Sequence, residues 1–187
     1  MKKVYTIIAG VNGVGKSAFT GLLKNERDDL GIIINVDEIV AKEAGGSFTA
    51  GGKLAVERIR SAIDAGRSLT QETTLSGRFM RKTMLQAKEQ GYTIRLYYIG
   101  LNDAYESVIR IRNRVLKGGH DIDSDDVKRR FEKRFTDLLN VIPLCDEVMF
   151  YNNENGFDYV AHIEAGQYTC LTNEKPDWLI AFEQACL

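Results

Sequence analysis

One stretch limits the folds open to this 187-residue chain more than any other: Gly10-Val11-Asn12-Gly13-Val14-Gly15-Lys16-Ser17. It fits G-x-x-x-x-G-K-[ST] at every fixed position. An apolar run over 4–9 precedes it and a helix-forming stretch over 17–24 follows, so the motif sits in the strand–loop–helix context it needs. Glycines let the backbone curl until successive N–H groups face inward and bind phosphate oxygens. The helix that starts there adds its positive end. Lys16 supplies a point charge between the β- and γ-phosphates, and Ser17 offers a hydroxyl to Mg²⁺. Asn12, Gly13, Val14, Gly15, Lys16 and Ser17 are therefore the expected nucleotide-binding residues, with Ser17 towards the metal. The competing reading is a glycine turn that matches by accident.

Beyond the motif, strand and helix signals alternate, which predicts a parallel sheet flanked by helices. Strands are expected over 3–9, 31–36, 68–74, 93–99 and 147–151. The second, Gly-Ile-Ile-Ile-Asn-Val, reads as buried on both faces. Helices are expected over 54–65, where Ala55, Ile59, Ala62 and Ile63 form an apolar stripe, over 78–90, and from a cap at Asn102 or Asp103 to about Leu116. Lys117-Gly118-Gly119-His120-Asp121 breaks the pattern. Ser124 then reads as the cap of a helix whose apolar face carries Val127, Phe131, Phe135 and Leu138. Past residue 152 come two short strands, 159–165 and 167–171, and a last helix after Pro176. No repeat, low-complexity tract or linker divides the chain, so a single domain over 1–187 is expected.

With 44% hydrophobic residues the chain can bury a core, and a formal charge of −1 gives no bulk attraction to nucleic acid or acidic membranes. Three cysteines, Cys145, Cys170 and Cys186, lack C-x-x-C spacing and read as reduced structural thiols. Met1-Lys2-Lys3 before an apolar run imitates a signal peptide, but Tyr5 and Thr6 interrupt the run and no A-x-A site follows. No segment approaches a membrane span. A cytoplasmic location is the expectation.

Three further groups favour a kinase. Asn35-Val36-Asp37-Glu38 ends the second strand, on the sheet edge where ligands gather. A carboxylate at Asp37 there can accept the proton of an attacking hydroxyl; the alternative is that it caps a helix starting at Glu38. Gln71-Glu72-Thr73-Thr74 ends the third strand. Its acidic and hydroxyl groups can bind substrate hydroxyls or help hold magnesium through water; the alternative is an ordinary polar strand end. Arginines 110, 112 and 114 before the glycine break, and 129, 130 and 134 after it, suit a mobile lid that meets phosphoryl charge, although a solvated basic face accounts for some of them. Phe131 and Phe135 fall on an apolar stripe, which favours core packing over an RNA-binding helix. His120 reads as a lid-turn residue.

Together these residues resemble the zeta-toxin family of P-loop kinases, in particular its compact, non-toxin-like branch. The resemblance rests on Ala9 to Ser17, Asn35-Val36-Asp37-Glu38, Glu72-Thr73-Thr74-Leu75-Ser76-Gly77-Arg78, and Arg114 to Asp121 followed by Arg129-Arg130-Phe131, in family order over about 3–150. It implies a three-layer α/β P-loop kinase fold; the strand and helix signals fill this out as a mainly parallel five-stranded sheet, a helical lid at about 114–130 and, outside the resemblance, a small C-terminal β-hairpin plus helix over about 152–187. It also implies an ATP- and Mg²⁺-dependent phosphotransferase. Lys16 and Ser17 would hold phosphate and metal, Asp37 would be the catalytic base, and Glu72 would be the substrate-binding acidic residue; the strand-end reading adds Thr73 and Thr74 to the expected substrate contacts. Arg114 and Arg130 would be the lid arginines. The family's toxins phosphorylate UDP-N-acetylglucosamine. They typically carry a basic residue three positions after the aspartate and then a His-Pro pair, where this chain has Val40, Lys42 and Glu43.

The expected acceptor is a small metabolite bearing a hydroxyl, with a nucleotide sugar as the leading candidate. Two other readings stand beside it. One is a nucleotide-dependent switch that presents 152–187 to a partner. The other is a kinase of nucleic-acid ends, which the overall charge supports little. An antitoxin-like partner is unproven by sequence.

Overall fold

A computed structural model describes residues 2–76, 78–116, 118 and 122–186. Strands β1 (Val4–Ala9), β2 (Ile32–Ile34), β3 (Leu69–Thr73), β4 (Thr93–Gly100), β5 (Glu147–Asn152), β6 (Asp158–Glu164) and β7 (Gln167–Cys170) form one sheet in the order β2-β3-β1-β4-β5-β6-β7. The first five run parallel; β6 and β7 join antiparallel. The helices are α1 (Lys16–Glu26), α2 (Val36–Lys42), α3 (Phe48–Asp64), α4 (Arg78–Glu89), α5 (Ala104–Leu116), α6 (Ser124–Val141) and α7 (Asp177–Ala185).

Central β1 is buried at all six positions, because helices cover both faces of a parallel sheet. Its side chains alternate. Tyr5, Ile7 and Ala9 enter a core built with α3, α4 and α7, while Ile8 enters a second core with Phe19 and Leu23 of α1 and Phe131 of α6. The expected three layers are present.

Four expectations are corrected. The C-terminal hairpin is not separate from a five-stranded sheet but continues it to seven strands, through the β5–β6 pairing. Strand β2 is not buried on both faces: it lies at the sheet edge, with Ile32 and Ile33 half-buried. Helix α3 begins six residues before Leu54, at Phe48, because Ser47 caps it by accepting from the Ala50 amide. Asp123, rather than Ser124, caps α6 by accepting from the amides of Asp125 and Asp126.

Between the two candidate caps of α5, Asp103 accepts from the Tyr105 amide, while Asn102 accepts from the Trp178 amide and ties α7 to the sheet. Trp178 is buried and donates from Nε1 to Asn152 Oδ1 at 3.0 Å. From the stretch 152–187, Val160, Ala161, Trp178, Leu179 and Phe182 are thus buried in the main core. Gly77, Lys117, Gly119, His120 and Asp121 lie outside the described residues, so the turn read at the lid tip and the lid role of His120 do too.

Candidate active site

The phosphate loop leaves the carboxyl end of β1 and feeds α1 through Gly15, whose φ is 98°. Gly13 also has a positive φ, 75°, and a Cβ there would stand 2.8 Å from the Ser107 carbonyl oxygen of α5. Only glycine fits both conditions. The loop is braced from outside as well: the Ser107 hydroxyl donates to the Asn12 carbonyl, and Asn153 Nδ2 donates to the Val14 carbonyl at 2.7 Å. At the start of α1 the first-turn amides lack partners within the helix, as at any helix start.

Lys16 folds back over the loop and donates from Nζ to the carbonyls of Gly10 and Val11, each at 3.0 Å. Burial pushes its ammonium down to about 8; Glu72 and Asp37 pull the other way, and Arg114 and Arg130 add to the depression. An added phosphate would restore the charge that burial weakens.

Next to Lys16, a carboxylate is committed. Glu72, buried at the end of β3, accepts from Ser17 Oγ at 2.7 Å, Thr20 Oγ1 at 2.7 Å and Asn35 Nδ2 at 2.8 Å. Asn35 also caps α2 through Oδ1, accepting from the amides of Asp37 and Glu38. So Asp37 is not the cap: it stands in the first turn of α2 with its carboxylate turned to the cavity. Thr20 was not singled out from the sequence, although it lies one turn beyond Ser17 on the same helix face. Asn35 stood in a motif but without a role.

The two arginines expected in the lid reach this centre. Arg114 of α5 lies 3.5 Å from Asp37 Oδ2, and Arg130 of α6 donates to Asn12 Oδ1 at 3.1 Å and lies 3.9 Å from Asp126. Arg110 is a third that the sequence marked only as one of six; it donates to the Asn153 carbonyl at 2.7 Å and pairs with Glu106. The rest separate by environment. Arg112 is exposed, Arg129 pairs with Asp126 at 2.6 Å, and Arg134 stacks on Phe131 and Phe135 at 3.8 and 4.1 Å. Phe131 is buried and Phe135 packs against the main core, as the apolar stripe predicts.

The phosphate loop, the ends of β2 and β3, and Arg110, Arg114 and Arg130 border one cavity of about 730 Å³. Its walls bring together Asn12, Gly13, Gly15, Lys16, Ser17, Asp37, Glu72, Thr73, Thr74, Arg114 and Arg130. Val14, by contrast, turns its side chain fully into the core behind the loop. Phe48 at the start of α3 also borders the cavity and was not marked by the sequence. Such an arrangement can hold a chain of phosphates at one end, a hard cation at Ser17, and a hydroxyl beside Asp37.

Compared with known proteins, the chain is 33% identical over 126 residues to an uncharacterized protein of Haemophilus influenzae, a match that covers 65% of this chain and 88% of that protein. It belongs to that protein's family. No protein-family model matches it. Among solved structures it is similar to a chain of the PezAT chromosomal toxin–antitoxin system of Streptococcus pneumoniae, with a TM-score of 0.66 and 16% identity, covering 98% of this chain and 84% of that one. It is similar to a chain of the AvrRxo1-ORF1:-ORF2 structure with ATP at a TM-score of 0.65 and 15% identity, spanning 97% of this chain and 63% of the other. It is similar to a gluconokinase of Sinorhizobium meliloti at a TM-score of 0.51 and 11% identity, covering 82% and 83% of the two chains. These likenesses show the fold, a three-layer P-loop kinase fold.

Proposed function

We propose that this chain, a member of the Haemophilus protein's family with a P-loop kinase fold, is an ATP- and Mg²⁺-dependent phosphotransferase that acts on a hydroxyl of a small metabolite. One observation carries the reading: Lys16, Ser17 backed by Glu72, and Asp37 beside Arg114 all face a single cavity. The fold's kinase neighbours, one of them solved with ATP, support the class of reaction.

The residues fit magnesium. Ser17 Oγ is exposed to the cavity on one side and anchored by Glu72 Oε2 on the other, a hard-oxygen setting of the kind this ion prefers. Of the two roles weighed for Glu72, its placement suits support of the metal site better than contact with the acceptor. Bound magnesium would neutralise charge on the nucleotide's phosphate oxygens.

The chain's own groups divide the remaining work. Loop amides and Lys16 hold the phosphates of ATP. Asp37 accepts the proton of the acceptor hydroxyl as that oxygen bonds to the γ-phosphorus; the bond from phosphorus to the β–γ bridging oxygen breaks, and ADP leaves. Arg114 and Arg130 meet the charge on the transferring group, and lid closure excludes water. In this reading 1–187 works as one unit with its lid at about 114–130, in the cytoplasm; no helix among the described residues is long and apolar enough to cross a membrane.

The test is a product screen. The protein is incubated with ATP, magnesium and a metabolite pool, and mass spectrometry looks for a gain of one phosphate. Asp37→Asn should lower transfer about 10²–10⁴-fold, while affinity for a non-hydrolysable ATP analogue stays unchanged. Normal turnover by that variant would remove Asp37 as the base. Nucleotide-dependent association with a partner and no phosphorylated product would favour a switch instead.

A further inference from the structure

Beyond the phosphate loop, the cavity has a second wall. The pair α2–α3 forms part of it. Gly51 of α3 packs on Val40 of α2 so closely that a Cβ there would stand 2.4 Å from Val40 Cγ2. Val40, three positions after Asp37, is therefore directed into the helix pair, where it sets the approach of α3. Phe48, in the first turn of α3 beside the Ser47 cap, is 41% exposed and borders the cavity. Phe48 thus brings part of a large aromatic side chain to the wall of the same polar cavity that Asp37 borders.

The same cavity is bordered by a turn under strain. Leu75 takes a φ of 62°, a left-handed conformation that a leucine rarely adopts, and its side chain is buried. Its amide donates to Thr73 Oγ1 at 3.0 Å. The turn brings the hydroxyls of Thr74 and Ser76 within 2.8 Å of each other on the cavity wall. Backbone strain held by a buried anchor, with paired hydroxyls presented to a pocket, is the setting in which such outliers recur.

Charge decides what can occupy this end. Among the described residues lining the cavity, four cations (Lys16, Arg110, Arg114 and Arg130) meet four carboxylates (Asp37, Glu72, Asp123 and Asp126). All four cations sit on the loop or the lid helices, where the phosphates of ATP would engage them. An ATP–magnesium complex brings further negative charge. A second phosphate-bearing molecule would enter a site whose described cations are already matched.

We infer that Phe48 and the Thr74–Ser76 hydroxyl pair form the acceptor subsite, and that its occupant is an uncharged, polyhydroxylated ring such as a free hexose or N-acetylhexosamine. The apolar face of the ring lies on Phe48 and its hydroxyls meet Thr74 and Ser76, with one of them presented to Asp37. This rests on the phosphotransferase reading and narrows it away from nucleotide sugars and nucleic-acid ends.

Separate reactions with ATP and magnesium test it: one with free hexoses and N-acetylhexosamines, one with nucleotide sugars, one with oligonucleotides bearing 5′-hydroxyls. The expected result is phosphate gain in the first arm. Phe48→Ala should raise the acceptor KM about 10–100-fold, the loss of one buried aromatic face, with the KM for ATP unchanged. Phe48→Tyr should restore most of it, and Thr74→Val should act in the same direction more weakly. Products confined to nucleotide sugars or oligonucleotides would overturn the subsite while leaving the kinase intact. An unaltered acceptor KM in Phe48→Ala, or no product in any arm from a protein that binds an ATP analogue, would overturn it as well. Failure to bind the analogue at all would instead remove the kinase reading beneath it.

Discussion

The two ends of the same strands carry two clusters of charge built on opposite plans. At the amino ends, Arg95 of β4 donates to Glu147 of β5 and to Asp29, both at 2.9 Å, and Arg27 grips Asp29 at 2.7 Å. The Arg27 hydrogen bond, then that of Arg95, holds the Asp29 carboxyl well below the usual carboxylate range. At the carboxyl ends, Arg114 stands 3.5 Å from Asp37 and Arg130 stands 3.9 Å from Asp126, while Lys16 rests on carbonyls with its ammonium weakened. Short, matched pairs hold a fold together. A weakened ammonium resting on carbonyls instead regains its charge beside a ligand's phosphate.

That contrast can be broken in four ways. Glu72→Gln should act hardest, because it removes the charge and replaces one of two acceptor oxygens by an amide donor facing groups that donate. Transfer should fall about 10–100-fold, checked by initial rates at several magnesium concentrations. Unchanged rates would mean that the Ser17 anchor is dispensable.

The pH dependence of nucleotide binding comes next. Burial favours the neutral form of Lys16, and phosphate favours the charged one, so binding takes up a proton once pH exceeds about 8. Affinity for a non-hydrolysable ATP analogue should therefore fall as pH rises, about tenfold between pH 7 and 9. Lys16→Met should bind weakly with a flat profile. Titration calorimetry across that range reads both.

Arg95→Met probes the other cluster. It should cost about 1 kcal/mol of stability in urea unfolding, since Asp29 keeps Arg27 and Glu147 is partly solvated, and both KM values should stay unchanged. The acid limb should also respond. Asp29 binds protons more weakly folded than unfolded, so its contribution is complete above the ordinary aspartate range and is lost as pH falls below about 4. Smallest of all, Lys42→Ala removes an exposed ion pair with Glu38 and should change stability by less than about 0.5 kcal/mol.

What the sequence made legible follows from where each determinant lies. The phosphate loop is local: eight consecutive residues set its shape, so it reads directly. Asp37 reads from its place after a strand. Edge position for β2 does not read, because Ile32, Ile33 and Ile34 look alike until their neighbours are known. The start of α3 was hidden by Gly51-Gly52, a pair that signals a break, yet Gly51 is needed for close contact with Val40. The commitment of Glu72 depends on Ser17 and Thr20, more than fifty residues earlier, and no spacing rule joins them. Continuation of the sheet into β6 and β7 is likewise a matter of pairing across strands.

Helix α5 braces the phosphate loop through Ser107 and also carries Arg110 and Arg114. The brace on the loop and two cavity arginines therefore ride on one rod, and an insertion that lengthens α5 by a residue between 107 and 110 would turn Arg110 and Arg114 out of phase with the loop they serve.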